Sequence, residues 1–325
     1  MSQIGTANAP PGDRNVIVVL GMHRSGTSLA ASLLQALGLD LGPQLIRGDQ
    51  HNQAGYFEQE RIVRLNEQTI RAIDRRWVGP KGSLPYPDGW WELPEVAPLR
   101  AELTETVREE LQRTKAVWGF KDPRVSRMIP LWREIFADLG VNPLYVLAVR
   151  HPGAVVASLS LRDGLSPARS QLLWLEHNLE AVVEAEGALR RVVDYDRWFR
   201  DGEGQAKCLA QAVGLPWPID DSPWQRLLLP LIQSGLRHSA PALEHPLPLV
   251  EDTYRLLEDA ATSGEVPGEL VRHEQVLRQA ATLLHAWSEL LESAELEMSS
   301  AGRAGQSSTS PTLRLRNRLQ RMLTG

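Results

Sequence analysis

Hydrophobic positions along the chain change their period in an ordered way. Val16-Ile17-Val18-Val19-Leu20 is an unbroken apolar run rich in β-branched side chains, the pattern of a strand buried on both faces of a parallel sheet. After Gly21–Ser28, the residues Leu29, Leu33, Leu34 and Leu37 recur at helical spacing, and Gly38 is placed to end that helix. A second helix is predicted from Glu58 to Trp77, with Ile62, Leu65, Ile70 and Ile73 on one stripe. Residues 78–95 hold four prolines, three glycines and the adjacent Trp90 and Trp91, and read as a long irregular loop. A helix to about Lys115 follows, then a short strand at Ala116–Phe120 and a helix capped by Ser126 that runs to Leu139. Leu144–Val149 is a second strong strand, Pro152 opens another helix, a further helix spans roughly Ser166–Arg190, and Arg191–Tyr195 is a fourth strand.

Strands alternating with helices predict an α/β fold, a P-loop-type parallel sheet flanked by helices and joined by right-handed crossovers. No strand signal follows Pro216; residues 224–296 read as helical, broken by Pro-rich stretches at 241–248 and at Pro267. Residues 298–311 are Ser-, Gly- and Ala-rich, and Leu313–Leu323 is a basic amphipathic segment. The expected division is a flexible leader over 1–15, a P-loop-like domain over 16–220, a helical extension over 221–297 packed on it, and a linker with basic tail over 298–325.

Composition narrows the function classes. With 325 residues, 42% apolar and 23% charged, the chain is not collagen-like, mucin-like or wholly disordered. Thirty-five Lys and Arg against forty Asp and Glu leave a net charge of −5, which argues against a general nucleic-acid binder. A single cysteine, Cys208, excludes an internal disulfide and a thiolate-rich metal site. It fits a reducing compartment, and the expected location is cytoplasmic. No apolar run approaches the ~18 residues of a membrane span, and residues 1–15 carry no hydrophobic signal stretch.

The loop Gly21-Met22-His23-Arg24-Ser25-Gly26-Thr27-Ser28 joins a strand to a helix N-terminus. Such a loop cradles anions, because its N–H groups are free and the helix dipole favours negative charge. Gly21 and Gly26 have Walker A spacing, but Thr27 stands in the lysine slot and the loop cation is Arg24. Arg150 directly follows the strand at Leu144–Val149, where the ligand crevice of an open α/β sheet lies. Ser158 and Arg162 follow on one helical face, so two guanidinium groups and a hydroxyl form a second anion site. Two such sites suit one ligand with two charged groups. Glu58 opens a helix and is a candidate base, with Glu60 and His51 as alternatives; Lys121 lies at a strand end, within reach of a transferring group. Asp122 and Arg124 read as an ion pair that shapes the turn. A P-loop kinase or NTPase with a degenerate loop, and a nucleotide-binding module without chemistry, remain alternatives; the missing lysine counts against the kinase.

Gly21–Ser28 resembles the 5′-phosphosulfate loop of sulfotransferases that use 3′-phosphoadenosine 5′-phosphosulfate (PAPS), an Arg or Lys followed by Ser-Gly-Thr-Thr/Ser. Arg150-His151-Pro152 with Ser158-Leu159 resembles the family's 3′-phosphate motif, Arg-Asp-Pro-x5-Ser-Leu, with His151 in place of the more frequent Asp. Arg162 and Lys121-Asp122-Pro123 are similar to the tyrosylprotein branch, and Gly55-Tyr56-Phe57-Glu58 is similar to a segment of bacterial members. The resemblance spans about residues 15–215. It implies Arg24, Glu58 and Lys121 as catalytic residues. It implies His23, Arg24, Ser25, Gly26, Thr27, Ser28, Arg150, Ser158 and Arg162 as donor-binding residues, with PAPS as donor, 3′-phosphoadenosine 5′-phosphate (PAP) as product and no metal. Arg24 would also stabilise the bridging oxygen as it leaves. Tyr195-Asp196 resembles the family's Tyr-Glu-Asp-Leu region and reads as scaffold. No aromatic is assigned to the adenine, since Leu29 stands where cytosolic members have Trp and their C-terminal Arg-Lys-Gly loop is absent.

The expected acceptor is a hydroxylated glycan, lipid or small molecule, and nucleic acid is not an expected partner. Tyr86, Trp90 and Trp91 either line the acceptor entrance or anchor their loop on the core. Arg314, Arg318 and Arg321 lie on one side of a tail helix and Leu315, Leu319 and Met322 on another, a candidate for weak membrane or protein contact.

Overall fold

The computed structural model describes residues 14–49, 52, 55–76, 78–79, 81–218, 224–232, 243 and 245–283. Most of the leader, His51, Trp77 and the linker and basic tail over 298–325 lie outside the described residues. The chain divides into two units, Met1–Glu274 and Gln275–Gly325; in the second, the described residues 275–283 are helical.

In the first unit, four strands form one parallel sheet: β1 (Asn15–Leu20), β2 (Trp118–Lys121), β3 (Asn142–Val149) and β4 (Leu189–Asp194). Their spatial order is β2-β1-β3-β4, with Val18 opposite Phe120 on one side and Tyr145 on the other. The β1–β2 connection runs to one side and the later strands to the other, so the topological switch point lies between β1 and β3. Ligand crevices of open α/β sheets open at such points, beyond the carboxyl ends of the strands.

Helices cover the sheet because each central strand is apolar on both faces. Ile17, Val19, Val146 and Ala148 share one core with Leu33 and Leu34 of α1 (Thr27–Ala36) and Leu209 and Val213 of α7 (Trp198–Val213). A buried aromatic column, Trp118, Phe120, Trp132 and Phe136, runs from β2 onto α4 (Ile129–Leu139). Between α1 and α4 lie α2 (Glu60–Ala72) and α3 (Ala97–Arg113); α5 (Pro152–Asp163) and α6 (Pro167–Glu184) follow β3, and α8 (Pro248–Ser263) packs beside β4. Arg191 and Arg197 tie α8 to that edge by donating to the Ala261 carbonyl at 2.8 and 2.7 Å.

Expected boundaries move at several places, and the helix expected to reach Arg190 ends at Glu184, with β4 already begun at Leu189. The helix expected from Glu58 starts at Glu60, because the Glu58 carbonyl accepts from Ile46 N–H at 2.8 Å and the chain there is extended. It ends at Ala72, and Asp74 takes a left-handed φ of 54°. Ser126 does not cap α4: Asp122 caps a 3-10 turn over Pro123–Arg127 by accepting from the Arg124 N–H, and α4 begins after it.

Candidate active site

The loop after β1 is shaped by close backbone approach. Gly21 has φ 134°, and a Cβ there would lie 2.3 Å from the Ala148 carbonyl oxygen of β3. Gly26 has φ 83°, and its Cβ would lie 2.4 Å from Tyr195 Cδ2. Both positions therefore require glycine. Arg24 is held at φ 70° despite its side chain, a strained conformation of the kind concentrated at functional sites. The α1 N-terminus has no side-chain cap and no acidic residue in its first turn, so its N–H groups are left for an anion.

The second predicted cluster meets this loop directly. Arg24 Nε donates to Ser158 Oγ at 2.8 Å, across 134 residues of sequence. Arg150 Nη1 donates to the Arg24 carbonyl at 3.2 Å, and its guanidinium lies 4.4 Å over the Tyr195 ring. The Arg150 carbonyl accepts from Trp174 Nε1 at 3.2 Å. Arg162 pairs with Asp163 at 2.7 Å, and its charge is still felt at Arg24. Burial first, then Arg162 and Arg150, hold the Arg24 guanidinium below its ordinary value. Half-buried His23 is held well below the usual imidazole range by desolvation and by Arg124, His177, Arg162 and Lys121. His151, at the aspartate position of the motif, caps α5 by accepting from the Gly153 N–H at 3.1 Å.

On the β2 side, Lys121 Nζ donates to Glu58 Oε1 at 2.5 Å and to the Tyr56 carbonyl at 3.0 Å. The two side chains are 2% and 8% exposed. Glu58 reaches the lysine because residues 56–60 run antiparallel to residues 44–46, with Tyr56 N–H donating to the Ile46 carbonyl and Glu60 N–H to the Gln44 carbonyl. Phe57, at φ 57°, turns the chain just before it. Glu60 is exposed on the first turn of α2. The same segment reaches α1, where Ser28 Oγ donates to the Tyr56 carbonyl at 3.3 Å and accepts from Asn52 Nδ2 at 3.1 Å. Asp122, fully buried, accepts from Asn66 Nδ2 and pairs with Arg124, both at 2.9 Å, which is the turn-shaping pair read from the sequence.

Sequence reasoning gave a different role to two residues that touch the loop. Ser126 Oγ accepts from the Gly21 N–H at 2.8 Å, where a helix cap was expected. Tyr195 walls Gly26 and lies under Arg150, whereas its motif suggested scaffold; its place at the end of β4 was the available signal. The Pro- and Trp-rich loop is bolted down by three arginines. Arg127 donates to the Gly82 and Leu84 carbonyls at 2.8 and 2.9 Å, Arg75 donates to the Pro85 carbonyl at 3.0 Å, and Arg169 donates to the Gly79 carbonyl. Trp90 is 3% exposed and serves as an anchor, with Tyr86 edge-on to it and beneath Arg127.

Fold and site together define an α/β protein with a glycine loop and an arginine–serine cluster at the switch point of a parallel sheet. No family model and no curated protein matches the sequence. Among solved structures, the chain is similar to the sulfotransferase domain of the Synechococcus PCC 7002 olefin synthase, at 19% identity and TM-score 0.46, over 78% of this chain and 96% of that one. It is similar to the sulfotransferase domain of the curacin biosynthetic pathway, at 14% identity and TM-score 0.43, over 79% and 100% of the two chains. It is also similar to a sulfotransferase, STF1, of Mycobacterium tuberculosis H37Rv, at 15% identity and TM-score 0.39, over 65% and 70%.

Proposed function

We propose that this protein is a PAPS-dependent sulfotransferase that moves a sulfuryl group to a hydroxyl of a glycan, lipid or small-molecule acceptor. The observation that carries the reading is the Arg24–Ser158 hydrogen bond of 2.8 Å. It joins the glycine loop and the arginine–serine cluster into one cationic site, as a single nucleotide with phosphates at two positions requires. The residues present fit such a donor. Two glycines let the loop pack close against β3 and Tyr195, and the mutual cost of Arg24, Arg150 and Arg162 is offset by an anionic ligand.

In this reading the loop backbone from His23 to Gly26, with Arg24, Thr27 and Ser28, holds the 5′ end. Arg150, Ser158 and Arg162 hold the 3′-phosphate. PAPS supplies, when bound, a sulfuryl group already activated by its link to phosphate. Sulfuryl transfer displaces less charge than phosphoryl transfer, so positioned cations and a base are what the protein must provide. Arg24 stabilises the leaving phosphate, Lys121 neutralises the transferring group, and Glu58 accepts the proton of the acceptor hydroxyl as its oxygen replaces the phosphate on sulfur. Glu58 is preferred to Glu60 because it is the carboxylate in contact with Lys121.

Isothermal titration with PAP and with ATP–Mg²⁺, followed by a sulfate-transfer assay on an acceptor panel, tests the proposal. PAP binding with transfer is expected. ATP–Mg²⁺ binding in preference to PAP would favour the kinase alternative, and PAP binding with no transfer to any acceptor would favour a module without chemistry.

A further inference from the structure

The donor loop and Lys121 sit on different strands, and one side chain ties them together. Ser126 is fully buried, and its hydroxyl accepts the Gly21 N–H at 2.8 Å across 105 residues of sequence. It belongs to the 3-10 turn Pro123–Arg127, which starts two residues after Lys121, the last residue of β2. That turn is stiff: Asp122 Oδ1 accepts from Arg124 N–H at 3.0 Å, and the Asp122 carbonyl accepts from Val125 N–H at 3.0 Å. Gly21 is therefore fixed by the Ser126 hydroxyl, at a point where the Ala148 carbonyl of β3 leaves no room for a side chain.

The first N–H of the loop is thus spent on the protein, and this sets how the following N–H groups are aimed. Resting on the sulfotransferase reading, we infer that Ser126 is a positioning residue for the 5′ end of the donor. It touches no reacting atom. It sets the first peptide of the loop relative to Lys121, so that the loop N–H groups and the lysine converge on one group. The adjacent Arg127 fastens the same turn to the Gly82 and Leu84 carbonyls, so the turn has little freedom to follow a displaced loop.

The test compares two ligands, PAP and adenosine 3′-monophosphate, which lacks the 5′ group. Ser126→Ala is expected to raise the Kd for PAP about tenfold, the effect of one lost orienting hydrogen bond. It should leave the Kd for adenosine 3′-monophosphate within about twofold, a change too small to count as a lost hydrogen bond. Ser126→Thr, which keeps the hydroxyl, should restore PAP binding. Hydrogen exchange provides a readout that needs no ligand: the peptide containing Gly21 should exchange faster in Ser126→Ala while peptides from α4 do not. Equal PAP binding by wild type and Ser126→Ala overturns the inference, as does an equal loss for both ligands. Failure of the wild type to bind PAP overturns the sulfotransferase reading itself.

Discussion

Lys121 and Glu58 meet in a nearly dry contact, with the ammonium 2.5 Å from the carboxylate and also donating to the Tyr56 carbonyl. Removing one partner leaves the other charge buried and uncompensated, which costs about 3–5 kcal/mol. Lys121→Ala and Glu58→Ala should each lose stability of that order, and the double variant should lose less than the sum. Urea denaturation of the four proteins in a double-mutant cycle checks this. On the proposed sulfotransferase reading, Glu58→Gln keeps the shape of the contact and removes the base, so kcat for sulfuryl transfer should fall by about 10²–10⁴-fold while PAP affinity is retained.

Gly26 has no room for a methyl group. Gly26→Ala forces a Cβ into the Tyr195 ring and puts alanine at φ 83°. We expect a loss of about 1–3 kcal/mol from backbone strain alone. PAP affinity should fall as the ring under Arg150 moves. Thermal melting with and without PAP separates the two effects.

Arg150 uses the planarity of its guanidinium, which covers Tyr195 while donating to the Arg24 carbonyl. Lysine cannot reproduce that geometry. Arg150→Lys should weaken PAP binding by roughly tenfold or more, in line with the loss of a hydrogen bond to a charged group, and should weaken adenosine 3′-monophosphate to a similar degree. Calorimetry with both ligands would contradict the 3′ assignment if only PAP were affected.

Two neighbouring buried residues give stability opposite pH dependences. Burial pushes His177 down to about 3 from 6.5; the unfolded chain binds the proton first, so stability falls as pH drops through that window. Burial pushes Glu176 up to about 8 from 4.5 against the opposing Arg127 guanidinium, 2.9 Å away, with Glu180 adding to the rise. The folded state then keeps a proton the unfolded chain has lost, so stability falls as pH rises from 4.5 to about 8. Each slope is at most about 1.4 kcal/mol per pH unit. Glu176→Gln should flatten the decline between pH 6.5 and 8 and leave the acid decline in place. Urea midpoints measured from pH 4 to about 8.5, across the Glu176 window and the upper part of the His177 window, report it.

Trp90 and Trp91 are adjacent in sequence and differ in burial. Trp90→Ala should cost about 3–5 kcal/mol as a core truncation. Trp91→Ala should be much milder for stability, and any change in acceptor KM should come from it. Melting temperatures and acceptor titrations on both variants distinguish anchor from rim.

Sequence alone determined the local units. An apolar β-branched run, a loop with glycines at fixed spacing and a leucine stripe specify strand, turn and helix through contacts within a few residues, so Gly21–Ser28 and Arg150 at a strand end were legible. Tertiary structure decided which distant groups meet. The order β2-β1-β3-β4 puts β1 between the strands that carry Lys121 and Arg150, and only then do Arg24 and Ser158, Gly21 and Ser126, or Lys121 and Glu58 come within hydrogen-bond reach. Glu58 and Glu60 look equivalent in a helical pattern; the antiparallel pairing of residues 56–60 with residues 44–46 buries one and leaves the other in solvent. Side-chain periodicity carries no information about pairings 63 to 134 residues apart, because those depend on strand order and on the packing of the turns above the sheet.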